Sequence, residues 1–186
     1  MSDQRQVLSR VHRAYEGAHV ATAARGVALA LAVTVAAVAL HRTSNTSWIV
    51  AIALAATLAG LAWRGGAWRR GGFAGVLAGL PPLIVPTLVI ALTSPTLHCD
   101  GCATTPMWWC VLSCFAASSI VGALVGHRAT LDRSPVRFAA AALSTASLTG
   151  LLGCGTIGLG GAAGVVIGLV AGGLTGWVVS GHAARA

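Results

Sequence analysis

Near-continuous apolar runs alternate with short polar breaks along the chain, at residues 26–40, 48–63, 73–92, 107–125, 136–152 and 157–179. A bilayer core asks for roughly 20 apolar residues of helix, so these runs predict membrane spans, several of them short. The first lengthens backward through Ala21 to Ala24 if Arg25 snorkels to the interface, and Trp48 and Trp63 flank the second as headgroup-belt residues would. The expected fold is an all-α integral membrane protein, one membrane domain over residues 1–186 with six transmembrane helices.

Composition points the same way. Hydrophobic residues make up 56% and charged residues 9% of the chain, with a mean hydropathy of +0.81. The formal net charge of +8 comes from arginine without lysine. Because those arginines stand in the breaks, membrane topology explains them better than nucleic-acid binding, and no direct nucleic-acid contact is expected.

Their distribution also sets an orientation. Arg5, Arg10, Arg13 and Arg25 precede the first run, Arg64, Arg69 and Arg70 follow the second, and Arg128, Arg133 and Arg137 follow the fourth. The connections at 41–47, 93–106 and 153–156 hold Arg42 alone. Positive charge is retained in the cytoplasm, so both termini are expected inside. A cleaved signal peptide is the competing reading of residues 1–40, but its charged region would be long and no small-x-small site follows Leu40. The absence of lysine, with abundant alanine and glycine, suits a GC-rich bacterium, and hence a multi-pass protein of the bacterial inner membrane.

Within residues 1–24, Val7, Leu8, Val11, Tyr15 and Ala18 form an apolar stripe and Arg5, Arg10, Arg13 and Glu16 take other positions. This predicts a cytoplasmic amphipathic segment, lying on anionic membrane lipid or docking a protein.

Helix packing has its own signature. Gly160, Gly164, Gly168, Gly172 and Gly176 repeat every four residues and lay a groove along one helix face, either for packing within the chain or as a seam between copies in a homo-oligomer. Related series run through Cys110, Cys114, Ser118, Gly122 and Gly126, and through Ala142, Ala146, Gly150 and Cys154. If those faces meet, cysteines distant in sequence come together. Pro81, Pro82 and Pro86 are expected to kink or locally unwind the third span.

The expected spans hold no Asp, Glu or Lys, which argues against proton-coupled transport. They also lack the nucleophile, paired-aspartate and His-Glu-x-x-His patterns of intramembrane proteases, so no enzyme is expected. His41, His127 and His182 read as interfacial.

The remaining chemistry is the thiols. His98, Cys99, Cys102, Cys110, Cys114 and Cys154 all fall on the expected outer side. Three uses stay open. Structural disulfides would join Cys110 or Cys114 to Cys99, Cys102 or Cys154, since two cysteines one turn apart on a helix are poorly placed to bridge each other. A soft-metal site would use thiolate and imidazole, which suit zinc and copper(I). A dithiol relay would pass a disulfide from Cys99 and Cys102 to a helix-top cysteine.

With Trp109-Cys110 opening the fourth span, Ser134-Pro135-Val136-Arg137 in an inner turn and Cys154 ending the fifth, the layout resembles the six-helix membrane-bound anti-sigma factors of the extracytoplasmic-function type. Here Gly153 stands where a histidine is expected, no aromatic pair follows Cys154, and Cys99, Cys102 and Cys114 are additional. The resemblance implies that Cys110 and Cys154 sense metal or oxidant and that residues 1–24 and the inner loops grip a sigma factor. The expected function is therefore a signal-transducing regulator of transcription with an outer cysteine cluster. A small soft-metal permease and a structural subunit of a membrane complex are the alternatives.

Overall fold

The computed structural model describes residues 21–36, 45–93, 107–154 and 159–183. His98, Cys99, Cys102 and residues 1–20 of the expected amphipathic segment lie outside them. The described residues are all-helical: α1 (Ala21–Ala36), α2 (Asn45–Arg64), α3 (Gly66–Thr93), α4 (Met107–Thr130), α5 (Pro135–Cys154) and α6 (Leu159–Ala183). Three stretches are long and apolar enough to cross a membrane: Val111–Thr130, Pro135–Cys154 and Leu159–Gly181. Shorter apolar helices cover Ala21–Ala36 and Trp48–Arg64.

Local chemistry explains the junctions. Gly65 and Gly66 take positive φ values of 65° and 54°, and the Gly65 N–H donates to the carbonyls of Leu61 and Ala62. A left-handed residue at this place closes a helix C-terminus, and glycine enters it without a Cβ penalty. The turn between α2 and α3 is thereby compressed, so Arg69 and Arg70, expected in a connection, stand on the first turns of α3. At the next junction Asp132 Oδ1 accepts from the Ser134 N–H at 3.0 Å, and the Ser134 carbonyl accepts the first bond of α5, from Phe138 N–H at 3.0 Å. Ser134 is thus the N-cap and Pro135 opens the helix, where its missing N–H removes nothing.

Helix α3 is helical from end to end through Pro81, Pro82 and Pro86, so the expected local unwinding is not seen. Neighbouring helices support it there: Pro82 is fully buried and Leu83 is 1% exposed.

The helices associate unequally. α6 packs chiefly on α4, and α3 chiefly on α5, while contact between these two pairs is lighter. Within a pair the chains run parallel. Along α6, a Cβ built on Gly164, Gly168, Gly172 or Gly176 would meet the carbonyl oxygens of Val111, Phe115, Ser119 and Ala123 in turn. Gly160 is looser, its nearest neighbour being Val111 Cγ2 at 3.4 Å. Gly122 and Gly126 of α4 lie equally close to the Leu169 and Gly173 carbonyls. In α3, Gly71, Gly75 and Gly79 stand against Phe138, Ala142 with Thr145, and Thr149 of α5.

Two apolar clusters result. One gathers Val121, Val125, Phe138, Ala142, Ala146, Val165 and Leu169 among α4, α5 and α6; the other gathers Ala30, Val33, Leu54, Leu58, Val76, Leu83 and Leu152 among α1, α2, α3 and α5. Helix α5 contributes to both. The large apolar side chains Ile52, Leu77, Leu124, Ile167 and Val179 point outward instead, an exterior suited to lipid more than to water. The buried threonine hydroxyls bond back to their own helix, as Thr34 does to the Ala30 carbonyl (2.7 Å) and Thr149 to that of Thr145 (2.9 Å). That arrangement needs no water.

Candidate functional site: a buried disulfide between the helix pairs

Cys114 lies in the N-terminal third of α4, and Cys154 is the last residue of α5. Antiparallel α4 and α5 bring them together at the end of the bundle remote from the 131–134 turn. They form a disulfide, with Cα atoms 6.7 Å apart, inside the range that the bond's geometry accepts. Both residues are fully buried. The bond is a side-chain cross-link between the α4–α6 pair and the α3–α5 pair, in addition to the backbone connections that join α4 to α5 and α5 to α6.

The other candidate ligands and thiols therefore divide. Cys110 sits one turn earlier on the same face of α4, with its side chain outside the described residues; the family resemblance pointed to it, but the bond is made by Cys114. His98, Cys99 and Cys102 lie outside the described residues altogether. Among the described residues no three potential ligands gather into a metal site, and with Cys114 and Cys154 bonded to each other neither sulfur is a thiolate able to hold zinc or copper(I).

Two groups beside the disulfide were not anticipated. Cys154 Sγ lies 3.4 Å from the Pro82 carbonyl oxygen of α3. A disulfide sulfur carries no hydrogen, so in this state the approach is a contact and not a donated bond. In an α-helix that carbonyl would accept from the N–H four residues on, but that residue is Pro86, which has none. The signal was present in the Pro82-x-x-x-Pro86 spacing; its cysteine neighbour was not. The second group is Ser118 Oγ, one turn from Cys114, buried and without a hydrogen-bond partner among the described residues. The Gly71, Gly75 and Gly79 series was overshadowed by the prolines of the same helix, although its four-residue spacing is as regular as that of α6.

Polar contacts collect at the opposite end. Arg70 Nη2 pairs with Asp132 Oδ2 at 3.0 Å, tying the start of α3 to the α4–α5 turn. His127 Nδ1 lies 2.7 Å from Ser180 Oγ, whose hydroxyl donates to the Gly176 carbonyl at 2.7 Å. The Arg64 guanidinium stands 5.4 Å above the Trp68 ring. This end is rich in exposed arginine: Arg25, Arg64, Arg69, Arg70, Arg128, Arg133 and Arg137.

No family model, curated protein or solved structure matches the chain.

Proposed function

We propose that the protein is a bacterial inner-membrane regulator in which an outer thiol pair controls the fit between two helix pairs, and thereby the cytoplasmic face offered to a partner. The observation that supports this reading is the Cys114–Cys154 disulfide, which links one helix pair to the other. In this reading all six helices span the membrane with both termini inside. The arginine-rich end is cytoplasmic and the disulfide lies toward the outer surface. Each pair is held by its glycine series, because lipid supplies no hydrophobic drive for helices to associate and close backbone approach takes its place.

The two ends of the inter-pair seam are fastened differently. The inner end has the 131–134 turn and the Arg70–Asp132 pair; the outer end has the disulfide beside the short 155–158 connection from α5 to α6. Reduction by a dithiol delivers two electrons and two protons, breaks the S–S bond, leaves two thiols, and turns the donor into a disulfide. Oxidation reverses this. Only the outer fastening responds, so the pairs shift relative to each other about the inner end, and one state is favoured over the other. The partner is the sigma factor that the resemblance implies, held by residues 1–24 and the inner loops. An oxidant fits better than a metal as the signal, since the buried sulfurs are committed to each other.

The test replaces Cys114 and Cys154 together by serine in the native membrane and profiles transcripts after a pulse of thiol oxidant. The wild-type protein is expected to alter a defined transcript set and the double variant to lose that response. An identical response in both, or none in the wild type, overturns the reading.

A further inference from the structure

Beyond the switch itself, and resting on the reading of Cys114–Cys154 as a working redox pair, we infer that the Pro82 carbonyl is the built-in acceptor for the reduced Cys154 thiol, and that Pro86 is the positioning residue that keeps it available. The geometry has two parts. Cys154 Sγ is already 3.4 Å from Pro82 O across the α3–α5 seam, within reach of an S–H donor. Pro86 supplies no N–H to that carbonyl, so its ordinary helical partner does not exist. The surroundings are dry, with Pro82, Leu83 and Cys154 all buried and Gly153 pressed on Leu83, where a Cβ would lie 2.9 Å from the Leu83 Cα.

The asymmetry between redox states follows from hydrogen counting. In the disulfide neither sulfur can donate. After two-electron reduction by a dithiol, each sulfur carries a proton, and the Cys154 S–H meets an acceptor at hydrogen-bond distance without any rearrangement of α3 or α5. A buried carbonyl gains from a donor that water cannot provide there. Reduction therefore creates a bond that oxidation removes, which favours the dithiol form and makes the pair easier to reduce than one without the acceptor. The carbonyl belongs to α3, so the redox state is also felt by the helix that carries Arg70 at its inner end.

The test uses the purified full-length protein in nanodiscs, equilibrated in dithiothreitol buffers of graded ratio, with the oxidised fraction of the Cys114–Cys154 pair counted by alkylation and mass spectrometry. Pro86→Ala restores an N–H aimed at Pro82 O and is expected to shift the dithiol–disulfide equilibrium toward the disulfide by about threefold to tenfold, the worth of one modest hydrogen bond. Pro81→Ala restores a donor to Leu77 and not to Pro82, and should stay within about twofold of wild type. A second readout is independent of the equilibrium. With Cys99, Cys102, Cys110 and Cys114 replaced by serine, the S–H stretching band of Cys154 should lie at the lowered frequency of a hydrogen-bonded thiol and move toward that of a free thiol when Pro86→Ala is added. A Pro86→Ala equilibrium equal to that of Pro81→Ala, or a free-thiol band before Pro86 is changed, overturns the inference. Both measurements are made on isolated protein, so a failed transcript response in cells counts against the regulator reading and leaves this one standing.

Discussion

Gly172 of α6 and Ser119 of α4 meet with no side chain between them: a Cβ on Gly172 would fall on the Ser119 carbonyl oxygen and crowd its carbonyl carbon at 2.7 Å. Backbone cannot move aside as a flexible side chain can. Gly172→Ala is therefore expected to destabilise the protein by about 1–3 kcal/mol through overpacking. Gly160→Ala adds a contact near 3.4 Å, and a Cβ on Gly181 would meet nothing within 4 Å. Both alanine variants should stay within about 1 kcal/mol of wild type. Unfolding in mixed micelles with increasing dodecyl sulfate measures the series, and equal losses at all three sites would show that α4 and α6 are not in this register.

The disulfide predicts a non-additive pair. Removing it by Cys114→Ser or by Cys154→Ser is expected to cost about 2–4 kcal/mol, with the double variant no worse than the worse single, because both changes delete the same bond. The same micelle assay, with thiol counting before and after reduction, tests this. Independent, additive losses would mean that the two cysteines are not bonded to each other.

Two buried hydroxyls should respond in opposite senses. Ser118 Oγ is buried without a partner among the described residues, so Ser118→Ala removes an uncompensated polar atom and is expected to be neutral or to stabilise by up to about 1 kcal/mol. Thr145 Oγ1 is 2.9 Å from the Ala141 carbonyl of its own helix and 3.0 Å from that of Gly72 on α3. Thr145→Val keeps the shape, loses the donor, and should cost roughly 0.5–1.5 kcal/mol. A Ser118→Ala loss as large as that of Thr145→Val would point to a bond at Ser118 that the static arrangement lacks.

At the arginine-rich end, Arg70 is 58% exposed and Asp132 only 12%. Solvent screens the arginine, so Arg70→Ala should cost no more than about 1 kcal/mol and less in high salt. Asp132 also holds the Ser134 N–H, so Asp132→Ala loses a turn-forming bond as well and is expected to cost about 1–2 kcal/mol, a part of it insensitive to salt. Repeating the unfolding measurement across ionic strengths separates the two contributions.

The cysteines show how far spacing carries. The four-residue series through Cys110, Cys114 and Ser118 put both thiols on one face of α4, and the series ending at Cys154 did the same for α5. Helical geometry alone left Cys110 and Cys114 as equal candidates. The choice of Cys114 depends on how far α4 is slid along α5, a distance set by the 131–134 turn and by packing across the bundle. Asp132, Ser134 and Pro135 announce that turn in the sequence, yet nothing in them encodes the axial offset of the helices they join.

The same division holds for the rest of the molecule. Local chemistry along the chain determined the helical character, the apolar runs, the arginine-bearing breaks, the stop at Gly65 and the start at Pro135, because each depends on residues within a few positions of one another. Only the tertiary structure decided that α6 lies on α4 and α3 on α5, that Cys114 reaches Cys154, and that a carbonyl freed by Pro86 faces the sulfur. Small residues permit close approach on any helix without naming the partner. That selection comes from the summed fit of many weak contacts between segments far apart in sequence.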